Sequence, residues 1–446
     1  MKLTKFKFSL VMMLCCSVLF LWSCGEDKMA TDLEQKIAEC KNQIEQLTAE
    51  NEQLKEKIAQ GEKEKMAAAA LKKMPIKIGI LQGLSGPYEV YGKQEVTGFK
   101  MGLEYATKGT NKINGRDVKL IIEDTQLKAD RAKMLLTKLY ADDKVDLAVG
   151  PTSSGVALAI LPVAQEFKKI LVVEPAVADA ITGKAWNRYI FRTGRNSGQD
   201  AISNATAISK PGVSIATIAQ DYAFGKDGVA AYKKAAEKLG AKVVHEEYAD
   251  PKATDFTAPV QRIIEALKNK PEPKYVWVIW AGKGGPIPQL LSSGIREKHN
   301  IQITSGSNVI PALKMMKPLA GMIGAGYYYY ENPKNEINDW FVKEHFKRFN
   351  APPDFFTCGG FSAAAAVVEG ITRAGGTDTE KLIAAMEGMS FMTPKGKMTF
   401  RKEDHQALQS MFAFTLMDKP GIEWGVPELL KELTPEETAP PILNKK

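Results

Sequence analysis

The segment Gly150-Pro151-Thr152-Ser153-Ser154-Gly155 follows a short apolar run, Leu147-Ala148-Val149, and opens directly into a helical pattern. The first amides of a helix lack intrahelical partners and sit at the positive end of its dipole, so they favour an anion. Thr152, Ser153 and Ser154 add neutral hydroxyl donors, a set suited to a carboxylate. A plain N-cap is the alternative use of the same hydroxyls. Other loops that end apolar runs carry rings able to enclose an apolar ligand body. They are Tyr88 and Tyr91 after the first run, Tyr222 and Phe224 after a later one, and Trp280 in Trp280-Ala281-Gly282. The loop Ser305-Gly306-Ser307-Asn308 offers further polar groups.

Covalent chemistry finds little support. His245, His299, His345 and His405 stand in no metal-ligand spacing. There is no Walker A loop and no dinucleotide fingerprint. Gly360-Phe361-Ser362-Ala363-Ala364 opens an apolar helix and reads as core rather than as a nucleophile elbow. The chain is expected to be no enzyme and to need no cofactor or metal. Its basic residues form no run interleaved with aromatics, so nucleic acid is not an expected partner.

The elements that must hold these loops alternate. Strands are expected at Ile76–Leu81, Val118–Ile122, Leu147–Val149 and Ile170–Val173, with helices at 93–108, 129–141 and 155–167. The rhythm restarts at Val213–Ala219 and continues through Lys242–Val244 and Tyr275–Trp280, with helices at 228–239 and 256–267. A further strand is expected at Gly326–Tyr330, then helices at 336–346 and 361–374. Strands alternating with helices imply parallel sheets covered on both faces. The break near Arg192–Asn196 divides them into two lobes. Ligands of open α/β sheets sit beyond the carboxyl ends of the strands, and two lobes can face those ends across a cleft.

Several of these segments carry a resemblance. Leu84-Ser85-Gly86-Pro87, Gly150-Pro151-Thr152-Ser153-Ser154-Gly155, Phe191-Arg192-Thr193, Asp221-Tyr222-Ala223-Phe224-Gly225 and Asp255-Phe256-Thr257 occur in this order. Together they resemble the extracytoplasmic substrate-binding proteins (periplasmic binding protein type I) of branched-chain amino-acid and amide ABC transporters. The resemblance implies two Rossmann-like lobes with parallel sheets, joined by three hinge crossovers and closing on a ligand. The crossovers would fall near Thr193–Asn196, Tyr328–Asn332 and Lys395–Phe400. The binding unit would span 75–435, with lobe 1 at about 75–193 and 328–395 and lobe 2 at about 196–326 and 400–435.

By the same resemblance, Thr152, Ser153, Ser154 and the backbone near Ala176 would hold a ligand carboxylate. Tyr91 and Phe356 would wall the side-chain pocket, with Phe224, Trp280, Ser307 and Asn308 contributing from the second lobe. The function implied is capture of an amino-acid-like, carboxylate or amide ligand for an ABC permease in the inner membrane. Two positions depart from leucine-type binders. Ala178 aligns with a carboxylate-binding Thr, and the Ser307-Asn308 region aligns with the acid that pairs the ligand ammonium. A buried ammonium without a counter-charge is costly, so an aliphatic or aromatic carboxylate, an amide or a small peptide also fits. Asp221 and Glu174 are the acids that would supply the missing charge.

The first 23 residues read as an address. Lys2, Lys5 and Lys7 precede the apolar run Phe8–Trp22, too short for a membrane span and suited to a secretory signal. Leu21-Trp22-Ser23-Cys24 resembles a bacterial lipobox, which implies a lipid on Cys24, attachment to the membrane and an extracytoplasmic location. Cys40 and Cys358 then remain, too few for a disulfide framework. Residues 29–66 carry a heptad stripe, with Ile37, Ile44, Asn51 and Ile58 at a and Leu33, Cys40, Leu47 and Leu54 at d. Ile at a, Leu at d and one Asn at a suit a parallel dimer. A coiled-coil homodimer and a lone solvated spacer helix both fit the stripe. The spacer also leaves open a sensing receptor or envelope scaffold built on the same binding unit.

The net charge of +8 is mild for this length, and 44% apolar with 25% charged residues is an ordinary globular balance. Residues 24–66 carry seven Lys against eleven Asp and Glu, so the excess of positive charge lies elsewhere.

Overall fold

The computed structural model describes residues 26–71, 74–282, 284–306 and 309–444. The expected signal and lipobox, Cys24 included, and Ser307 and Asn308 lie outside the described residues. The chain divides into two units at Lys73 and Met74. The described residues of the first form one helix, α1 (Glu26–Leu71), which runs on through Gly61 past the end of the heptad stripe. Leu33, Ile37, Ile44, Leu47, Leu54 and Ile58 on it are 40–61% exposed.

The second unit begins with a six-stranded sheet. Its strands are β1 (Ile76–Gln82), β2 (Lys112–Ile113), β3 (Arg116–Asp124), β4 (Leu147–Val149), β5 (Leu171–Val173) and β6 (Ile190–Arg192), in the order β2-β3-β1-β4-β5-β6. All neighbours are parallel except the short β2 against β3. Helices α2 (Glu89–Ala106), α3 (Ala129–Ala141) and α4 (Ser154–Glu166) connect the strands. Parallel strands covered on both faces must be apolar throughout. Ile78, Leu147, Val149, Leu171 and Val173 are accordingly buried.

After β6 the chain enters α5 (Ser197–Ile208), capped by Asn196 and Gln199, whose side chains each accept the other's backbone amide. A second parallel sheet follows in the order β10-β9-β7-β8. It is built from β7 (Ser214–Gln220), α6 (Ala223–Lys238), β8 (Lys242–Ala249), α7 (Thr257–Leu267), β9 (Lys274–Ile279), α8 (Ile287–Ser292), α9 (Ile295–His299) and β10 (Ile301–Ser305). Then come α10 (Ile310–Met316) and β11 (Ile323–Gly326), where Ile323 O accepts from Thr304 Oγ1 beside β10.

The chain returns to the first lobe through α11 (Glu336–Phe349), α12 (Phe355–Ala374) and α13 (Thr379–Met386), with the small antiparallel sheet β12 (Ser390–Thr393), β13 (Gly396–Phe400) and β14 (Ala407–Leu408). It ends in the second lobe with β15 (Met411–Met417) and β16 (Val426–Leu433), antiparallel beside β11. Residues 434–444 lead back to the first lobe. Arg401 donates to Pro440 O at 2.7 Å, Asn444 donates to Glu403 O at 2.6 Å, and Thr438 Oγ1 donates to Gln409 O at 3.3 Å.

Two expectations shift. Residues 327–330 are not a strand: β11 stops at Gly326, and Tyr327, Tyr328 and Tyr329 are buried where the chain leaves the second lobe. A run of buried rings looks like a strand in sequence because both place large apolar groups on successive residues. The third crossover is not at Lys395–Phe400. Met398, Phe400 and Ala407 pack with Ile78, Phe191 and Val367 in the first lobe, and the chain passes over at Gln409 and Ser410. Helices α2 and α12 pack at very close range in that lobe. A Cβ at Gly98 would stand 1.9 Å from Thr357 O, and one at Gly360 would stand 2.0 Å from Glu95 O.

Candidate ligand cleft

Between the two lobes lies a cleft of about 900 Å³, part of it open to solvent. The first lobe's floor is set by the loops after β1, β4 and β5. Asp124 organises the β1 loop, accepting from Leu84 N at 2.8 Å and Ser85 Oγ at 2.7 Å. Burial pushes its carboxyl up, but bonds from Gln126, Ser85 and Leu84 win and hold it below its usual range. Gly150, at φ +130°, lets the β4 loop pass against the end of β1, where a Cβ would meet Leu81 O at 2.0 Å.

The hydroxyls of the β4 loop tie loops together. Thr152 Oγ1 donates to Gln82 Oε1 at 2.7 Å and accepts from Gly83 N at 2.9 Å. Ser154 Oγ accepts from Val177 N at 3.3 Å and Ala178 N at 3.2 Å. Thr152 has therefore spent its proton inside the lobe, whereas Ser154 keeps one to donate. Ser153 precedes α4, makes no capping bond, and is not among the residues that line the cleft.

Aromatic rings from both lobes stand in the walls. Tyr91 meets Phe356 with centroids 4.3 Å apart, Tyr88 stacks on Tyr91 at 5.5 Å, and Phe355 meets Phe356 edge-on at 5.0 Å. From the second lobe come Tyr222, Phe224, Trp277 and Trp280. Trp280 is braced edge-on by Phe256 at 5.0 Å. Among the hydrogen bonds that cross between the lobes, two join the rings of the cleft. Tyr88 and Tyr222 share one between hydroxyls at 3.0 Å, and Gly282 N donates to Tyr91 Oη at 2.7 Å. Burial raises the pKa of both Tyr88 and Tyr222, so each keeps its proton.

Of the residues singled out in the sequence, Tyr91, Thr152, Ser154, Ala176, Phe224, Trp280 and Phe356 come together in this cleft. Glu174 and Asp221 do not line it. Glu174 is buried and accepts from Thr193 Oγ1 at 2.8 Å, while Asp221 pairs with Lys226 on the surface at 2.9 Å.

The charges that do line it were not singled out in the sequence. They are Arg195, on the first crossover, and Asp200, in the first turn of α5. Their side chains are 12% and 23% exposed, and Arg195 Nε donates to Asp200 Oδ1 at a long 3.3 Å. The guanidinium also lies over the Phe355 ring, 4.9 Å from its centroid. Asn204 fixes α5 to β11, donating to Ala325 O at 3.2 Å and accepting from Ala325 N at 3.0 Å. An acidic residue in a helix's first turn is so common for dipole reasons that Asp200 carries no signal in sequence. The neighbouring Arg192 has a different task. It is fully buried and binds Gln406 Oε1, Ala178 O and Thr182 Oγ1, which locks β6 to the turn before β14.

Among the described residues the cleft offers one cation, one acid, a spare hydroxyl and aromatic walls, a set that can hold a carboxylate attached to an apolar body. The described residues contain no group of His, Cys, Asp and Glu arranged for a metal.

Comparison with known proteins agrees with this architecture. The family model described as periplasmic binding protein matches residues 75–420. The chain is 26% identical over 362 residues to Leu/Ile/Val-binding protein homolog 6 of Brucella suis biovar 1 (strain 1330), covering 78% of this chain and 89% of that one. It is similar to the crystal structure of an ABC-type branched-chain amino acid transporter from Rhodopseudomonas palustris CGA009. Identity there is 60% and the TM-score 0.76, over 83% of this chain and 100% of that one. A solute binding protein of an ABC transporter from Rhodopseudomonas palustris BisB5, in complex with 3,4-dihydroxy benzoic acid, is 25% identical. Its TM-score is 0.70, over 81% of this chain and 97% of that one. With a family match over most of its length and a two-lobed fold to go with it, the chain belongs to the periplasmic binding protein family.

Proposed function

We propose that this protein is the extracytoplasmic solute-binding component of an ABC uptake transporter. It captures a small carboxylate with an apolar or aromatic body by closing its lobes, and hands it unchanged to an inner-membrane permease. The observation that carries the ligand class is Arg195 in a ring-walled cleft with the lobes bonded across it. The ligand carboxylate would take the guanidinium and the Ser154 hydroxyl, with its body between Tyr91, Phe356, Phe224 and Trp280. Contacts made by both lobes at once shift the open–closed equilibrium, since only the closed form offers them all. The relatives named for leucine, isoleucine and valine, and the one holding 3,4-dihydroxy benzoic acid, support a carboxylate ligand.

Calorimetric titration with leucine, 3,4-dihydroxybenzoate and benzamide tests this. Binding of a carboxylate and not of the amide is the expected result, and binding of benzamide alone would defeat it.

Two features extend the reading. A lipid on Cys24 would hold the protein at the membrane, which mass spectrometry of the mature N-terminus checks. The exposed stripe of α1 would pair with a second copy. Its a and d residues are apolar apart from Asn51, and between parallel chains Glu50 with Lys55 and Lys57 with Glu62 attract while Lys36 with Lys41 repels. Sedimentation of the full chain should give a dimer, and deletion of residues 29–66 a monomer with unchanged ligand affinity. The same stripe favours the second reading, a paired receptor that senses this ligand. Uptake of labelled ligand by cells that make the permease separates the two.

A further inference from the structure

Directly behind the cleft wall, two carboxyl side chains are buried around one point. Glu95 lies one helical turn beyond Tyr91 on α2, and Gly359 lies three residues beyond Phe356 on α12, so both belong to the turn behind the Tyr91–Phe356 wall. Glu174, just beyond β5, comes to the same spot. One oxygen of Glu95 and one of Glu174 each lie 2.7 Å from the point where a Cβ at residue 359 would stand. The two residues are 2% and 1% exposed. Glu174 accepts from Thr193 Oγ1, but neither oxygen of Glu95 has a hydrogen-bond partner among the described residues.

We propose that this pair shares a proton in the empty protein and takes up a second one when a carboxylate ligand engages Arg195. The inference rests on the carboxylate reading given above. Two ionised carboxylates this close, out of water, repel each other strongly. Burial and the charge of Glu174 accordingly push the Glu95 carboxyl well up, and burial pushes Glu174 up too.

The surroundings determine what a ligand does to the pair. Arg195 from the first crossover, Lys395 from the β12–β13 turn, and Arg192 from β6 face it with positive charge. Cys358 of α12 and Tyr327 of the second crossover adjoin it, and both are held neutral by burial. Asp200 adjoins Arg195. Arg192 and Arg401 are balanced by Asp179 and Asp404. Two cations then remain, Arg195 and Lys395, against the three carboxyls Glu95, Glu174 and Asp200, and one proton makes the set neutral. The charge on Arg195 favours ionisation of both Glu95 and Glu174. A ligand carboxylate that pairs with Arg195 cancels that help and adds a negative charge, so a proton from solvent enters the pair. A zwitterionic amino acid, whose ammonium would meet Asp200, brings no net charge and needs no proton.

The sign follows from linkage. The bound form holds the extra proton more tightly than the free form, so carboxylate affinity rises as pH falls, by up to about tenfold per unit between the free and bound pKa values. Burial pulls the Lys395 ammonium down to about 7, which makes it the rival proton acceptor.

Calorimetry of the full chain with 3,4-dihydroxybenzoate near pH 7, in two buffers of different ionisation enthalpy, reads the proton count. Uptake approaching one proton per ligand is expected. By the same charge count it should persist in Glu95→Gln and in Glu174→Gln taken singly, and be lost when the two are combined. No uptake on binding, or uptake that persists in the combined variant, overturns the proposal. Should 3,4-dihydroxybenzoate fail to bind, the carboxylate reading falls only if leucine fails as well. The pair is then judged by infrared spectroscopy of the empty protein, where a protonated carboxyl band at neutral pH must be present and must disappear in Glu95→Gln. Absence of that band defeats the shared proton by itself.

Discussion

The hydroxyls of Tyr88 and Tyr222 lie 3.0 Å apart, one tyrosine rooted in each lobe. With the Tyr91–Gly282 bond beside it, this contact exists only while the lobes are together. Both bonds are neutral and both involve residues that also face the ligand space, so closure and recognition share the same rings.

Removing one of those hydroxyls should loosen closure without touching the fold. Tyr222→Phe forfeits a hydrogen bond of about 0.5–1.5 kcal/mol, so ligand affinity should drop by roughly two- to tenfold. Small-angle scattering of the ligand-free variant should show a larger radius of gyration than the parent. Equal affinity and equal radius would mean the bond contributes nothing to closure.

Arg195 and Asp200 can be separated by charge-neutral swaps. Arg195→Gln should weaken any carboxylate by about 10- to 100-fold, the worth of hydrogen bonds to a charged group. Asp200→Asn should divide ligands by type. It should weaken leucine, whose ammonium loses its partner, and tighten 3,4-dihydroxybenzoate, which no longer competes with Asp200 for the guanidinium. Titration of both ligands against both variants decides it.

Gly98 is required by packing. A methyl group there would lie 1.9 Å from the carbonyl oxygen of Thr357, so Gly98→Ala must force α2 and α12 apart. A loss of about 1–3 kcal/mol or more is expected in urea denaturation. Gly61→Ala in α1, where a Cβ meets nothing within 4 Å, should instead favour its helix by up to about 1 kcal/mol.

Glu247 supplies a pH-dependent term. Arg262 binds it through two nitrogens at 2.8 Å each, His245 Nε2 approaches at 2.6 Å, and the carboxyl is held below its usual range. A depressed carboxyl stabilises the fold above its unfolded pKa, and that help fades as pH falls through its folded pKa. The urea midpoint of Glu247→Gln should therefore lie below the parent's at pH 7 and converge with it at strongly acid pH.

The alternation of strands and helices was legible because parallel strands buried on both faces appear as unbroken apolar runs, as at Ile76–Leu81. The ring-bearing loops were legible for a related reason: Tyr91, Phe224 and Trp280 sit where apolar runs end, and strand ends are where such folds bind. Arg195 was not, because a charged residue between two elements looks the same in sequence whether it faces a cleft or bulk solvent. The hydroxyls at Thr152 and Ser154 were read as ligand donors. Sequence spacing does not reveal that Gln82, Gly83, Val177 and Ala178 come close enough to claim most of their capacity. The third crossover, which the resemblance implies near Lys395–Phe400, has no signal of its own at Gln409 and Ser410, because β13 and β14 are short and carry no periodicity.

The stretch after β16 has a mechanical result. Three strands of chain passing between two bodies already restrict how those bodies turn. Residues 434–444 add a fourth tether, clamped at Pro440 and Asn444 by Arg401 and Glu403. Each added tether removes freedom to swivel while leaving a simple swing, so the jaws of this protein should open along one track, like a door on several pins.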